Sequence, residues 1–371
     1  MKQIILMLIL GILLVPGIVQ AQELKLSGEL WNRWTMENGK APGDSTDATL
    51  RNNFSLERGY VGLEAKFSET IKGRLTVDLF SSDALKDGAG IKLKYAYVDF
   101  SRLFPIPEMT TTVGLQKVYF GSIYDWNYSL IGKAPTDEYK LANSSDYGIT
   151  LNGFIPGGLG EYALGAYNGE GYKNYGSNLK DNTDLSYLAN LRLTPVSGLT
   201  LGGSVMNNST EREILLANAT ANGNYSRQLL WDGLLRAAYG PLDIWVEYTG
   251  KDVTFADAFS NKDYSANALC VFPTLKLRSL IGTDLEILGR YDRWDETDNP
   301  QNINLMTAVT AGVNYNFMHD ESDNPAMQVQ LNYTNKTYDE AESAPVYAHG
   351  LKDTDTLMLQ FKWRFATTIK N

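Results

Sequence analysis

The sequence predicts an all-β chain closed into a single transmembrane antiparallel β-barrel of sixteen strands. Three observations carry that expectation. Apolar residues recur with period two along most of the chain, and their faces are tipped by Tyr, Trp and Phe. Connections alternate between short and long. Beyond the first residues, no stretch is apolar enough to cross a bilayer as a helix. In lipid every backbone group must find a partner within the protein, and for strands only closure achieves that.

The first twenty-one residues are expected to be no part of that sheet. Lys2 precedes an unbroken apolar-plus-Gly run from Ile4 to Val15, and Pro16-Gly17 breaks it. Val19-Gln20-Ala21 then offers small residues at the two positions that govern cleavage. This reads as a secretory signal peptide over 1–21, with 22–371 as one barrel domain.

The strands follow in order. In the first, near residue 30, Leu24, Leu26, Leu30, Trp34 and Met36 share one face, with Lys25, Glu29 and Arg33 on the other. The second centres near 60. The third, near 77, sets Leu75, Val77 and Leu79 against Arg74, Thr76 and Asp78. Further strands centre near 96, 113, 150, 164, 190, 203 and 235. Near 246, Leu242, Ile244, Val246 and Tyr248 oppose Asp243, Trp245 and Glu247. One near 268 precedes Leu285, Ile287 and Tyr291 against Glu286, Arg290 and Asp292, near 288. After strands near 312 and 330, the last alternates Leu357, Leu359, Phe361, Trp363 and Phe365 with Met358, Gln360, Lys362 and Arg364. A soluble sandwich alternates too, but its apolar face is aliphatic core rather than an aromatic-tipped belt.

Short connections come after even-numbered strands: Ser68–Lys72, Pro156–Gly160, Pro195–Gly198 and Gly240-Pro241. Long polar ones come after odd-numbered strands: Glu37–Asn52, Gly121–Ser145, Asn168–Thr183, Asn207–Arg227 and Asn335–Thr354. Short turns on one rim and long loops on the other are the layout of outer-membrane barrels.

Composition narrows the chemistry. Lys+Arg 33 against Asp+Glu 43 gives a net charge of −10, which argues against a nucleic-acid partner. A lone cysteine, Cys270, allows no intramolecular disulfide, and no Cys/His cluster suggests zinc; no cofactor is expected. The only histidines, His319 and His349, fall on opposite rims, so an enzyme built on one histidine site is a poor fit. An outer-membrane enzyme and a soluble exported β-protein remain the alternatives to a channel.

Several blocks resemble the phosphate-selective porin O/P family. Asn53–Phe67 (NFSLERGYVGLEAKF) resembles its second-strand pattern, F-x-L-x-R followed by G-L. Val113–Gly121 (VGLQKVYFG) is similar to its V-G-x-x-K-x-x-F-G block. Tyr167–Gly169, Leu285–Asp292 and Ala311–Tyr315 sit where that family has like blocks. The resemblance implies a sixteen-stranded, trimeric outer-membrane channel, passing small hydrophilic solutes or ions and facing lipid and lipopolysaccharide outside. Two departures stand out. Residues 366–371 follow Phe365, where many barrels end. The loop Asn207–Arg227 contains no Lys, so the family's phosphate selectivity does not carry over.

A barrel of this size encloses water, so its inward side chains decide what passes. The inward-phase bases are Lys25, Arg33, Arg58, Lys66, Arg74, Arg192, Arg236, Arg290, Lys362 and Arg364. Nearly equal acids, Glu286 among them, make the wall close to neutral and the expected channel weakly selective. Arg58, Arg74 and Arg290 could form a local anion track. Leu56 shares the parity of Arg58, Tyr60, Glu64 and Lys66, which calls for a bulge near Glu57–Arg58. The loop Gly121–Ser145 mixes Tyr124, Trp126, Tyr128 and Tyr139 with Asp125, Lys133, Asp137, Glu138 and Lys140. Buried rings favour packing such a loop, and folding into the lumen would narrow the pore. Gly169-Glu-Gly171 resembles a phosphate-loop fragment but opens no helix, so it reads as a turn. Asp320–Asn324 lacks the terminal ligand of a calcium loop.

Overall fold

The computed structural model describes residues 21–40, 47–81, 89–126, 132–172, 184–210, 226–255, 263–298, 304–321, 323–340 and 353–370. Most of the run expected to be a signal peptide, His349 and most of the Asn207–Arg227 loop lie outside them.

Sixteen antiparallel strands form one closed sheet, each paired with its sequence neighbours and the first with the last. They are β1 (Glu23–Lys40), β2 (Asp47–Lys66), β3 (Ile71–Ser81), β4 (Ala89–Ser101), β5 (Met109–Lys117), β6 (Ser145–Ile155), β7 (Gly160–Tyr167) and β8 (Ser186–Val196). β9 (Leu199–Thr210), β10 (Ser226–Tyr239), β11 (Leu242–Phe255), β12 (Tyr264–Lys276), β13 (Leu285–Asp295), β14 (Asn304–His319), β15 (Pro325–Glu340) and β16 (Thr354–Lys370) complete it. Every centre expected from the alternation falls inside its strand. Two four-residue helices interrupt connections: α1 (Pro135–Glu138) between β5 and β6, and α2 (Arg278–Ile281) between β12 and β13.

Boundaries differ from the expectation mainly on the long-loop rim. β1 runs to Lys40 and β2 starts at Asp47, where Glu37–Asn52 reads as loop. Polar residues such as Glu37 and Arg51 continue the ladder as partners, because backbone pairing does not need apolar side chains once the strands leave lipid. The turn expected at Pro195–Gly198 shortens, since Pro195 and Val196 extend β8. His319 closes β14 rather than lying in a turn. Residues 366–370 also pair, with Glu23–Ser27, so the segment beyond Phe365 lengthens the closing seam. Gly28 lies opposite Phe365, and a Cβ there would come within 2.4 Å of the ring.

The bulge in β2 is present. Trp31 pairs with Arg58 and Asn32 with Leu56, leaving Glu57 as the extra residue. Its necessity can be read from either side. Below it, Tyr60, Glu64 and Lys66 face the lumen. Carrying that parity upward would turn Phe54 and Leu56 inward and put Arg51 into lipid. With one residue inserted, Phe54 is 84% exposed on the outer face, while Ser55 pairs across from inward Arg33. β4 repeats the device: Thr76 pairs with Tyr95 and Val77 with Leu93, leaving Lys94 extra.

The inner wall differs around the circumference. On β14–β16 the inward residues include amides and hydroxyls bonded to one another. Gln360 Nε2 donates to Gln330 Oε1 at 2.7 Å, Gln328 Nε2 to Asn316 Oδ1 at 2.6 Å, and Asn316 Nδ2 to Asp284 at 2.9 Å. On β8–β13 the inward residues include Leu188, Met206, Leu230, Cys270, Phe272 and Leu288, all buried. What buries them is the connection between β5 and β6.

Candidate pore constriction

The β5–β6 loop folds into the barrel and rests on the β7–β13 wall, two small hydrophobic cores forming beneath it. Val118, Phe120, Leu141 and Ala142 pack with Tyr167, Leu188, Met206 and Leu230. Further along, Ile123, Trp126 and Ala134 pack with Cys270, Phe272 and Leu288. Trp126 meets Phe272 at 5.4 Å between centroids and Trp245 at 6.3 Å; Tyr139 stacks on Trp294 at 4.8 Å.

Polar anchors fix the same path. Gly121 N–H donates to Ser204 Oγ at 3.0 Å, and Ser122 N–H to Glu247 at 3.1 Å, with the Ser122 hydroxyl also on that carboxylate. Gly121 has φ +52°, and a Cβ there would come within 2.5 Å of Glu247 Oε1 and 3.0 Å of Asp232 Oδ2. Only glycine lets the chain enter so tightly. Arg192 reaches Asp125 at 2.6 Å and the Gly121 carbonyl at 2.5 Å, its guanidinium over the Tyr124 ring. The Tyr124 hydroxyl donates to Glu161 at 2.5 Å. Arg290 donates to the Lys133 carbonyl at 2.7 Å while held by Asp292 at 2.6 and 2.8 Å.

The expected site residues therefore divide in two. Tyr124, Asp125, Trp126, Arg192 and Arg290 hold the loop. Trp126, Arg192 and Arg290 are buried at 8%, 5% and 6% exposure, Arg290 while bordering the cavity between the loop and the opposite wall. Of the expected anion track, Arg58 and Arg290 border one cavity and Arg74 another, with Arg290 held by Asp292 and the loop backbone. Arg33, Arg58, Lys133 and Glu138 do share one cavity of about 420 Å³, between the loop segment 132–139 and the opposite wall. Arg51, Glu57 and a hydroxyl strip of Thr310, Thr334 and Thr356 join them. Asp137 lies in α1 beside Glu138.

Arg74 is nearer the short-turn rim, in a second cavity with Lys25, Lys66 and Lys72; its Nε donates to Thr76 at 3.1 Å and it lies over Tyr95. Arg236 is bidentate to Asp243 at 2.9 and 2.7 Å. Glu286 accepts from Asn314 at 2.9 Å.

Sequence reasoning missed Arg51, Glu57 and Lys94. The two bulge residues escaped because a fixed parity sends them outward. Lys94 is 3% exposed, bonds Ser144 where the loop re-enters the sheet, and lies 4.0 Å from the Tyr172 ring. The resting place of the loop was also written in the sequence: β12 is apolar on both faces, with Ala266, Ala268, Cys270 and Phe272 inward. A lumen strand with no polar phase has something dry against it.

The minor motifs have local roles. Gly169, at φ +92°, donates its N–H to Asp146 Oδ2 at 2.7 Å, so that turn wraps a carboxylate of its own chain. In the Asp320–Asn324 turn, Asp320 meets Arg364 at 2.8 Å and Asp323 meets Arg278 at 2.9 Å. His319 Nε2 lies 3.3 Å from Asp284. Among the described residues no group of acids, His or Cys is arranged to hold a metal ion.

Residues 236–365 match the family described as phosphate-selective porin O and P. Over that stretch the chain is similar to the porin O/P family. Solved outer-membrane proteins share its fold over nearly their whole length. For the outer membrane channel DcaP of Acinetobacter baumannii the TM-score is 0.64 at 12% identity, covering 92% of this chain and 97% of that one. For the anion-selective porin from Comamonas acidovorans it is 0.62 at 12% identity, covering 92% and 99%. For outer-membrane expressed OmpT of Vibrio cholerae it is 0.61 at 11% identity, covering 93% and 99%. No curated protein matches the sequence.

Proposed function

We propose that this porin O/P-like chain is an outer-membrane diffusion channel for small hydrophilic solutes and ions, exported by a cleaved signal peptide and assembled as a homotrimer. One observation carries the reading: a loop of the chain's own crosses a polar lumen and leaves a charged gap against the opposite wall. One of the OmpT structures is described as a trimer form, which supports the assembly. Acids and bases interleave at the gap, so solutes are sorted by size and transverse field more than by net charge. Purified protein in a planar bilayer should give stepwise conductance with a reversal potential close to zero in a salt gradient. Absence of steps from folded protein would remove the channel.

A second reading, preference for anions, is favoured by the bases of the wall away from the loop. Arg33, Arg51 and Arg58 face the upper cavity, and Lys25, Lys72 and Arg74 the lower one. A reversal potential displaced strongly toward the anion, competed by micromolar phosphate, would establish it over the weakly selective channel.

A further inference from the structure

We propose that Glu57, the residue inserted by the β2 bulge, sets the ion selectivity of the channel by neutralising the arginines at its gap. The proposal rests on the channel reading. Glu57 Oε2 lies 3.1 Å from Arg33, and Oε1 lies 3.7 Å from Arg51 and accepts from Ser55 at 2.7 Å. One carboxylate thus serves two guanidinium groups on adjacent strands. Arg58, one residue on, has its guanidinium over the Trp31 and Tyr60 rings at 4.5 and 5.0 Å. All four charges border the same cavity, opposite the loop segment that carries Lys133 and Glu138.

The bulge is required by the fold, but the type of residue at its extra position is not. A bulge breaks the ladder and leaves one residue unpaired, and any inserted residue would restore the outward placement of Phe54 and Leu56. The inserted residue is nevertheless an acid aimed at two bases. Without its charge, three arginines would face the gap from one side against the single acid Glu37 of β1, an anion-attracting rim in a water-filled lumen. With it, Arg33 and Arg51 are largely masked, and the rim is weakly polar. Near-neutrality of the wall is then a local arrangement at the gap facing the loop rather than an average over distant charges.

The test is the reversal potential of Glu57→Gln in a salt gradient across a planar bilayer, with heat-modifiable gel mobility confirming a folded barrel. The anion-to-cation permeability ratio should rise roughly two- to threefold, the effect of one unit charge about 6 Å away in water with moderate screening. Arg51→Gln, at a residue on the exposed rim, should move the ratio in the opposite direction. Glu69→Gln, on the short-turn rim, should leave it unchanged. Folded Glu57→Gln channels with the wild-type ratio would overturn the proposal; if that variant does not fold, an unmoved ratio in Arg51→Gln would do so. Wild-type protein that folds but never conducts would instead remove the channel reading itself.

Discussion

The wall that supports the β5–β6 loop and the wall that faces it are made of the same strands differently filled. On β8–β13 the inward phase is leucine, methionine, cysteine and phenylalanine, with charges such as Arg192 and Arg290 buried and fully engaged. On β14–β16 and β1–β4 it is chiefly amides, hydroxyls and bases, several of them bordering open cavities. The first wall behaves like the core of a soluble protein, in which charge is structural. The second behaves like a channel surface, in which charge acts on what passes. The same residue type therefore has opposite roles on the two sides, and substitutions should separate them.

The largest effect is expected at Arg192. Replacing it by Met removes its charge-assisted bonds to Asp125, Glu161 and the buried Gly121 carbonyl together, a loss of about 3 kcal/mol. Denaturant unfolding in detergent should show that loss, with noisier and larger conductance steps. Arg58→Met on the facing wall should leave unfolding nearly unchanged and alter only ion preference. Similar unfolding losses for both would erase the distinction.

A second contrast is between the faces of one strand. Phe361 points to lipid and Gln360 to the lumen. Arg in place of Phe361 should cost about 2–4 kcal/mol near the bilayer midplane. Arg in place of Thr356, which borders the cavity, should cost little stability and reduce conductance. Comparable stability losses at 356 and 361 would contradict the assignment of faces.

Gly121→Ala comes next. The positive φ and the nearness of Glu247 should cost roughly 1–3 kcal/mol, seen as a lowered unfolding midpoint. A midpoint equal to wild type would mean the loop entry is not fixed there.

The smallest effect belongs to the short-turn rim. Arg278 holds the Asp323 carboxyl below its ordinary range, through a hydrogen bond and its charge. A carboxyl depressed on folding stabilises above its unfolded pKa and loses that contribution as pH falls through the folded one. The contact joining these turns should therefore weaken only below about pH 4. Asp323→Asn should flatten that part of the pH–stability curve by slightly lowering stability at neutral pH, where the wild-type contact contributes, and leaving it unchanged in acid.

Most of the barrel was legible because lipid on one face and water on the other impose a period of two that each strand repeats independently. Even the β2 bulge was visible, in the shared parity of Leu56 and Arg58. The site was legible in part. The loop's rings and charges marked it as packed, but the alternation rule treats every inward arginine alike. Arg192 and Arg290 differ from Arg33 and Arg58 only by what lies across the lumen, and no single strand encodes that. β12 came nearest, through its apolar inward phase. Lys94 and Glu57 stayed hidden because a bulge residue belongs to neither phase.

The central claim is that the loop seated on β8–β13 is what narrows the lumen. Single-channel conductance of a variant lacking residues 132–138, with barrel closure checked by heat-modifiable mobility, tests it most directly. The account predicts a folded barrel with clearly larger unit conductance. A folded variant with wild-type conductance would place the constriction elsewhere on the wall and contradict it.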